Sequence, residues 1–100
     1  MVKHIILWTL KEISDSEKES VKKGIKDGLE GLKGKIPGLI DIKVNTEGCL
    51  ASSTADLMLD STFENSEALK GYSKHPAHVA VADSKVRPYT ASRSCLDFEV

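Results

Sequence analysis

Lys3-His4-Ile5-Ile6-Leu7-Trp8-Thr9-Leu10 carries two alternating sets of side chains. Successive side chains of an extended strand point to opposite faces. His4, Ile6, Trp8 and Leu10 therefore share one face, and Lys3, Ile5, Leu7 and Thr9 share the other. Both sets contain large apolar groups. An antiparallel sheet with one face in water would alternate apolar with polar, so this strand is predicted to be covered on both sides.

The segments that follow say what can cover it. Ser14 and Glu17 form a capping box, and the stripe Val21, Ile25, Gly28, Leu29 and Leu32 predicts a helix that ends at Gly34 and Pro37-Gly38. Gly24, Gly28 and Gly31 each weaken that helix by up to about 1 kcal/mol relative to Ala, and close packing on a neighbouring backbone would account for them. A second strand is predicted from Leu39 to Thr46, with Ile40, Ile42 and Val44 on one face. Residues 47–54 read as a loop, and a third strand is predicted from Ala55 to Ser61. Asn65 then caps a short helix whose inner side carries Ala68, Leu69 and Tyr72. His75-Pro76 breaks it, and Pro76 starts a third helix with His78, Val79, Ala82 and Val86 on one face. The last strand, Thr90 to Val100, sets Ser94, Leu96, Phe98 and Val100 against Arg93, Cys95, Asp97 and Glu99.

This order, βαββα(α)β, is the α+β ferredoxin-like plan: a four-stranded antiparallel sheet with helices on one face. The helices cover one side only, yet the first strand is apolar on both. A second copy packing sheet to sheet resolves the conflict, so a homodimer is expected.

Composition narrows the function classes. One hundred residues make one domain, 1–100, and 40% apolar content is enough for a core. Fourteen basic against fifteen acidic residues leave a net charge of −1, and Lys22, Lys23, Lys26, Lys33 and Lys35 alternate with Glu19, Asp27 and Glu30. That pattern is a solvated helix face and not a nucleic-acid footprint. No stretch has the ~20 apolar residues of a membrane span, and residues 1–8 lack the features of a signal peptide. A cytoplasmic location is expected, with Cys49 and Cys95 as thiols. No Gly-rich phosphate loop lies between a strand and a helix.

The blocks Val2 to Trp8, Lys35-Ile36-Pro37-Gly38, Phe63 to Leu69, Tyr72-Ser73-Lys74-His75-Pro76-Ala77-His78 with Val79, and Arg93 to Val100 resemble, in order, the stress-responsive A/B barrel (Dabb) domain family. The resemblance spans essentially the whole chain, and its most specific element is Tyr-x-x-His-Pro-x-His. It implies a dimeric α/β barrel of the ferredoxin-like class and an activity that is seldom assigned. Its best understood relative is a plant polyketide cyclase that makes olivetolic acid by aldol condensation without metal or organic cofactor. That enzyme's catalytic tyrosine and histidine fall on Tyr72 and His78, and the histidine of its first strand on His4.

Two readings of these residues stand side by side. In one, His78 is a neutral general base in a cleft between sheet and helices, and Tyr72 hydrogen-bonds a substrate carbonyl or enolate. His4, Trp8, His75 and Val79 then complete a ligand-binding surface. In the other, Tyr72 and His78 are core residues and His75 simply caps the third helix. No cofactor is expected. His75-x-x-His78 has ligand-like spacing, but Pro76 and the absence of an H-E-x-x-H pattern argue against a metal. Asp56 and Asp60 alternate on the third strand and Asp97 and Glu99 on the fourth; on a sheet face at a dimer seam they could pair with Arg87 or Arg93, a structural role. Three functions remain open: an acid–base enzyme, a non-catalytic binder of a small, partly apolar molecule, and a dimeric interaction module.

Overall fold

A computed structural model describes all residues, 1–100. The elements run β1 (Val2–Leu10), α1 (Asp15–Glu30), β2 (Leu39–Asn45), β3 (Leu57–Phe63), α2 (Ser66–Lys74), α3 (Pro76–Val81), a π-helical turn (Ala82–Val86) and β4 (Thr90–Glu99). The sheet order is β2-β3-β1-β4, with every neighbouring pair antiparallel. This is the ferredoxin-like arrangement expected from the element order.

Local chemistry explains the element ends. The Ser14 hydroxyl accepts from the Glu17 N–H and donates to the Glu17 carboxylate, the reciprocal bonds of a capping box being half-realised here. The Asn65 side chain accepts from the Ala68 N–H at 2.9 Å to start α2. α1 ends at Glu30, earlier than the apolar stripe suggests, while Leu32 stays buried in the turns beyond it. Gly28 faces the side chain of Val81: a Cβ there would lie 2.9 Å from Val81 Cγ1. The close neighbour is thus a side chain of α3 and not a backbone.

The helix-facing side of the sheet forms the core. Ile6, Trp8 and Leu10 of β1, Ile42 and Val44 of β2, and Leu57, Leu59 and Phe63 of β3 are buried against Ile25 and Leu29 of α1 and Tyr72 of α2. Two boundaries differ from the sequence reading. β3 begins and ends two residues later, because Phe63 pairs with Val2 and is wholly buried. Ser61 sits inside the core because its hydroxyl donates to the His4 carbonyl at 2.8 Å. Ile40 does not share a face with Ile42 and Val44: the register slips between Leu39 and Asp41, and Ile40 is left exposed.

The edge strand β2 is closed by α1. The Glu30 carboxylate accepts from the Val44 N–H at 2.9 Å, and the Lys26 ammonium donates to the Val44 carbonyl at 3.0 Å and to Glu30 at 2.9 Å. Side chains of one helix thus occupy the backbone groups that an edge would otherwise offer to another chain. Burial raises the pKa of Glu30, but the Val44 N–H and the Lys26 charge outweigh it and hold it below the ordinary value.

The other side of the sheet carries no helix. Register places Ile5 beside Leu96 and Asp60, Leu7 beside Ser94 and Met58, and Lys3 beside Phe98 and Thr62. Leu7, Leu96 and Phe98 are 42%, 61% and 41% exposed in the single chain. The two-faced reading of β1 therefore extends to β4. Lys3 and Asp60 form an ion pair at 2.6 Å within this apolar surface. Within one chain the acidic residues take other partners than Arg93. Asp60 takes Lys3, Asp97 takes His4, Asp56 accepts from the Leu10 N–H at 2.7 Å, and Arg87 pairs with Asp83 of its own helix. Arg93 has no ion-pair partner within 4 Å. No helix is long and apolar enough to cross a membrane.

Candidate functional site

A cavity of about 320 Å³ lies between the helix-facing side of the sheet and residues of α1, α2, α3 and the π-helical turn. Its floor is His4, Ile6 and Trp8 of β1 with Leu59 of β3. Its roof is Tyr72, Ser73 and His78, and its far wall is Ala82 and Val86 of the π-helical turn with Arg87 just after it. Thr90 and Arg93 of β4 complete the rim. No acidic side chain lines it.

The helix break at His75-Pro76 brings Tyr72 and His78 together. His75 holds an extended backbone between the two helices, and its Nδ1 accepts from the Ala77 N–H at 3.1 Å, capping α3. The rings of Tyr72 and His78 then lie 4.2 Å apart between centroids, tilted by 39°. Tyr72 also packs against Phe63 at 5.0 Å and edge-on to His4 at 6.0 Å.

Tyr72 is 1% exposed, and its hydroxyl has no hydrogen-bond partner in the protein. Buried tyrosine hydroxyls are normally paired with protein or with water, and no protein group of this chain pairs with this one, in a residue that lines the cavity. Burial drives its pKa far up, opposed weakly by the Arg93 charge, so the phenol is a proton-bearing donor at any ordinary pH.

His78 Nδ1 donates to the Ser73 carbonyl at 3.3 Å. In the neutral ring this tautomer leaves the lone pair on Nε2. Burial lowers the pKa of His78; the Ser73 carbonyl raises it, and the charges of Arg87, His4 and Arg93 lower it again. A neutral imidazole next to a protonated phenol can take a proton from carbon or oxygen while the phenol supports the developing oxyanion.

His4 lies across from Asp97 in the β1–β4 register, and its Nδ1 donates to the Asp97 carboxylate. That bond fixes the ring and frees Nε2. Cys95 joins them, its sulfur 3.5 Å from Asp97 and 3.9 Å from His4. Ligand atoms of His4, Cys95 and Asp97 all lie within 4.8 Å of one another. A cation would require the thiolate, whereas burial and the Asp97 charge raise the pKa of Cys95 against the smaller opposing effect of Arg93. The three form a hydrogen-bonded chain in which the Asp97 carboxylate is the shared acceptor.

Of the residues singled out from sequence, Tyr72, His78, His4 and Trp8 line one cavity. His75 and Val79 do not. His75 is spent on the α3 cap, and Ala77 and Val81, not Val79, pack toward the core. Sequence reasoning missed Ser73, Thr90, Arg93 and the Asp97 partner of His4. Strand alternation had put Arg93, Cys95 and Asp97 on one face; what was lacking was the register that sets that face beside His4.

The family model for the stress responsive A/B barrel domain, Dabb, matches residues 2–100. The chain belongs to the Dabb family. A dimeric protein of unknown function with a ferredoxin-like fold from Bacteroides fragilis is 33% identical, with a TM-score of 0.91 over 99% of this chain and 95% of its own. A Dabb family protein with a ferredoxin-like fold from Mesorhizobium loti is 21% identical, with a TM-score of 0.77 over 99% and 95%. The hydroxynitrile lyase of Passiflora edulis shares the fold at 16% identity and a TM-score of 0.71, over 97% and 90%. No curated protein matches the sequence. Several of the structures that share this fold are described as proteins of unknown function.

Proposed function

We propose that this Dabb domain binds a small, partly apolar molecule with an oxygen function in the cavity between sheet and helices, and that it does so as a homodimer. The observation that carries the reading is the Tyr72 hydroxyl, buried and without a partner beside an open volume of about 320 Å³. Ile6, Trp8, Leu29 and Leu59 supply apolar contact, and Tyr72 and His78 supply polar direction. The apolar, helix-free face supports the dimer, and a 33% identical relative is described as dimeric. The cytoplasm is the location this reading assumes.

A catalytic version of the same reading rests on His78. With Nδ1 bonded to Ser73, its Nε2 is the base, and Tyr72 is the donor to a carbonyl oxygen. The reaction class is proton abstraction beside a carbonyl, as in an aldol-type closure. One step moves a proton from substrate carbon to His78 Nε2, and the enolate oxygen accepts the Tyr72 hydrogen bond. Return of that proton to the product completes the cycle with no outside redox partner.

The test is a thermal-shift screen of phenols, lactones and short β-keto acids against the wild type and Tyr72→Phe. The reading expects at least one compound to raise the wild-type melting temperature and to lose most of that effect in the variant. A compound set that moves neither protein would leave the interaction-module reading in its place. Turnover by the wild type that collapses in His78→Ala, with binding retained, selects the catalytic version.

A further inference from the structure

We infer that Arg93 is the anion-recognition residue of this cavity and that the ligand carries a carboxylate. This deepens the reading above and rests on it. The cavity is lined by two cationic side chains, Arg87 and Arg93, and by no aspartate or glutamate. The two arginines are not equivalent. Arg87 is held by Asp83 one helical turn away. Arg93 has no carboxylate within ion-pair distance, although the chain has fifteen acidic residues and its net charge is −1.

Position gives this guanidinium its role: it has no carboxylate partner, and the Cys95 thiol beside it on β4 is its one side-chain neighbour by hydrogen bond. Register sets Arg93 across from Trp8, on the helix side of β4, in line with Cys95 and Asp97. Asp97 is committed to His4 and so leaves Arg93 uncompensated. The charge of Arg93 is felt at both polar groups of the roof, lowering the pKa of Tyr72 and of His78. A planar fork of donors at the rim, with apolar walls below and a neutral phenol and imidazole above, matches a small acid. Its carboxylate sits at the mouth and its apolar body points inward. The anion also replaces part of the solvation that the guanidinium gives up when the mouth is filled.

The experiment compares matched acids and their neutral forms: 4-hydroxybenzoate, 3-phenylpropanoate and hexanoate, each beside its methyl ester and primary amide. Binding is followed by calorimetry and by backbone amide NMR shifts in the wild type, Arg93→Gln and Arg93→Lys. The inference expects an acid to bind about tenfold or more tightly than its ester and amide, from a charge-assisted bidentate pair. Arg93→Gln should erase that preference while leaving ester and amide affinities within about twofold. Arg93→Lys should keep part of it. Esters and amides that bind the wild type as well as the acids do overturn the anion assignment and leave the cavity reading intact. If no acid, ester or amide shifts the resonances of Tyr72, His78 or Trp8, both readings fall together. An acid preference that persists in Arg93→Gln overturns the role of Arg93.

Discussion

Tyr72 and His78 stack at 4.2 Å although they belong to different helices, because the extended His75 between them turns α3 back over the end of α2. The stack closes one side of the Tyr72 ring and leaves its buried hydroxyl unpaired. Removing that oxygen removes no intramolecular hydrogen bond and relieves a desolvated polar atom. Tyr72→Phe is therefore expected to unfold at the same or a higher urea midpoint, by up to about 1 kcal/mol. Tyr72→Ala, which empties a ring-sized hole in the core, should cost about 3–5 kcal/mol. Urea unfolding of both variants checks the pair; a large loss in Tyr72→Phe would mean that the hydroxyl has a partner inside the protein.

His78 links the site to pH. Its folded pKa lies below the ordinary 6.5, chiefly through burial. The unfolded chain therefore takes up this proton at higher pH than the native one does. Stability is fully present above pH 6.5 and is lost as the pH falls from about 6.5 through the folded value. His78→Gln should flatten this part of the profile. Unfolding free energies at intervals from pH 8 to 5 measure it, and an NMR titration of the His78 ring should give a midpoint under 6.5. A midpoint above that value contradicts the buried, neutral base.

Much of this was legible in the chain. The two-faced pattern of Lys3 to Leu10, the Ser14 and Asn65 caps and the Pro76 helix start follow from period and local hydrogen bonding, and these set the ferredoxin-like order. Tyr72, His78, His4 and Trp8 could be grouped because period places each on an inner face and the family resemblance singles out the first three. What stayed hidden depends on register. Nothing local says that Asp97 stands opposite His4, that Arg93 remains unpaired, or that the slip beside Leu39 turns Ile40 outward. The π-helical turn at Ala82–Val86 likewise has no signature in composition, yet it carries Ala82, Val86 and then Arg87 to the cavity wall.

Gly38 is the turn residue with the least freedom. Its φ is +80°, and a Cβ there would lie 2.4 Å from Ala68 Cβ at the start of α2. Gly38→Ala combines a left-handed backbone with a clash against a fixed methyl group, for an expected loss of about 2–4 kcal/mol. Gly28→Ala differs in kind. Its backbone is helical, and the Val81 methyl 2.9 Å from the added Cβ belongs to a side chain that can shift. The gain in helix propensity, up to about 1 kcal/mol, offsets that strain, so the net change should stay under about 1 kcal/mol. Thermal melts of the two variants should separate clearly, and equal losses would place the two contacts wrongly.

The helix-free face yields the last expectation. Ile5, Leu7, Met58, Leu96 and Phe98 lie on one side of β1, β3 and β4, with no element of the same chain to cover them. Fully burying an exposed side chain of this size contributes about 1.5–3 kcal/mol, and these partly exposed ones contribute a fraction of that each. The Lys3–Asp60 pair within the patch is already neutralised internally, so burying it leaves no lone charge. An unpaired carboxylate in the same surface has no such partner. Leu96→Asp should therefore split the dimer without touching the cavity, because residue 96 points away from His4 and Tyr72. In sedimentation at micromolar concentration the wild type should run at twice 10.9 kDa and the variant at 10.9 kDa, still folded by circular dichroism. A wild type that sediments as a folded single chain removes the dimer. A variant that stays dimeric moves the interface to another face, because a sheet-to-sheet seam cannot accept a bare carboxylate at its centre.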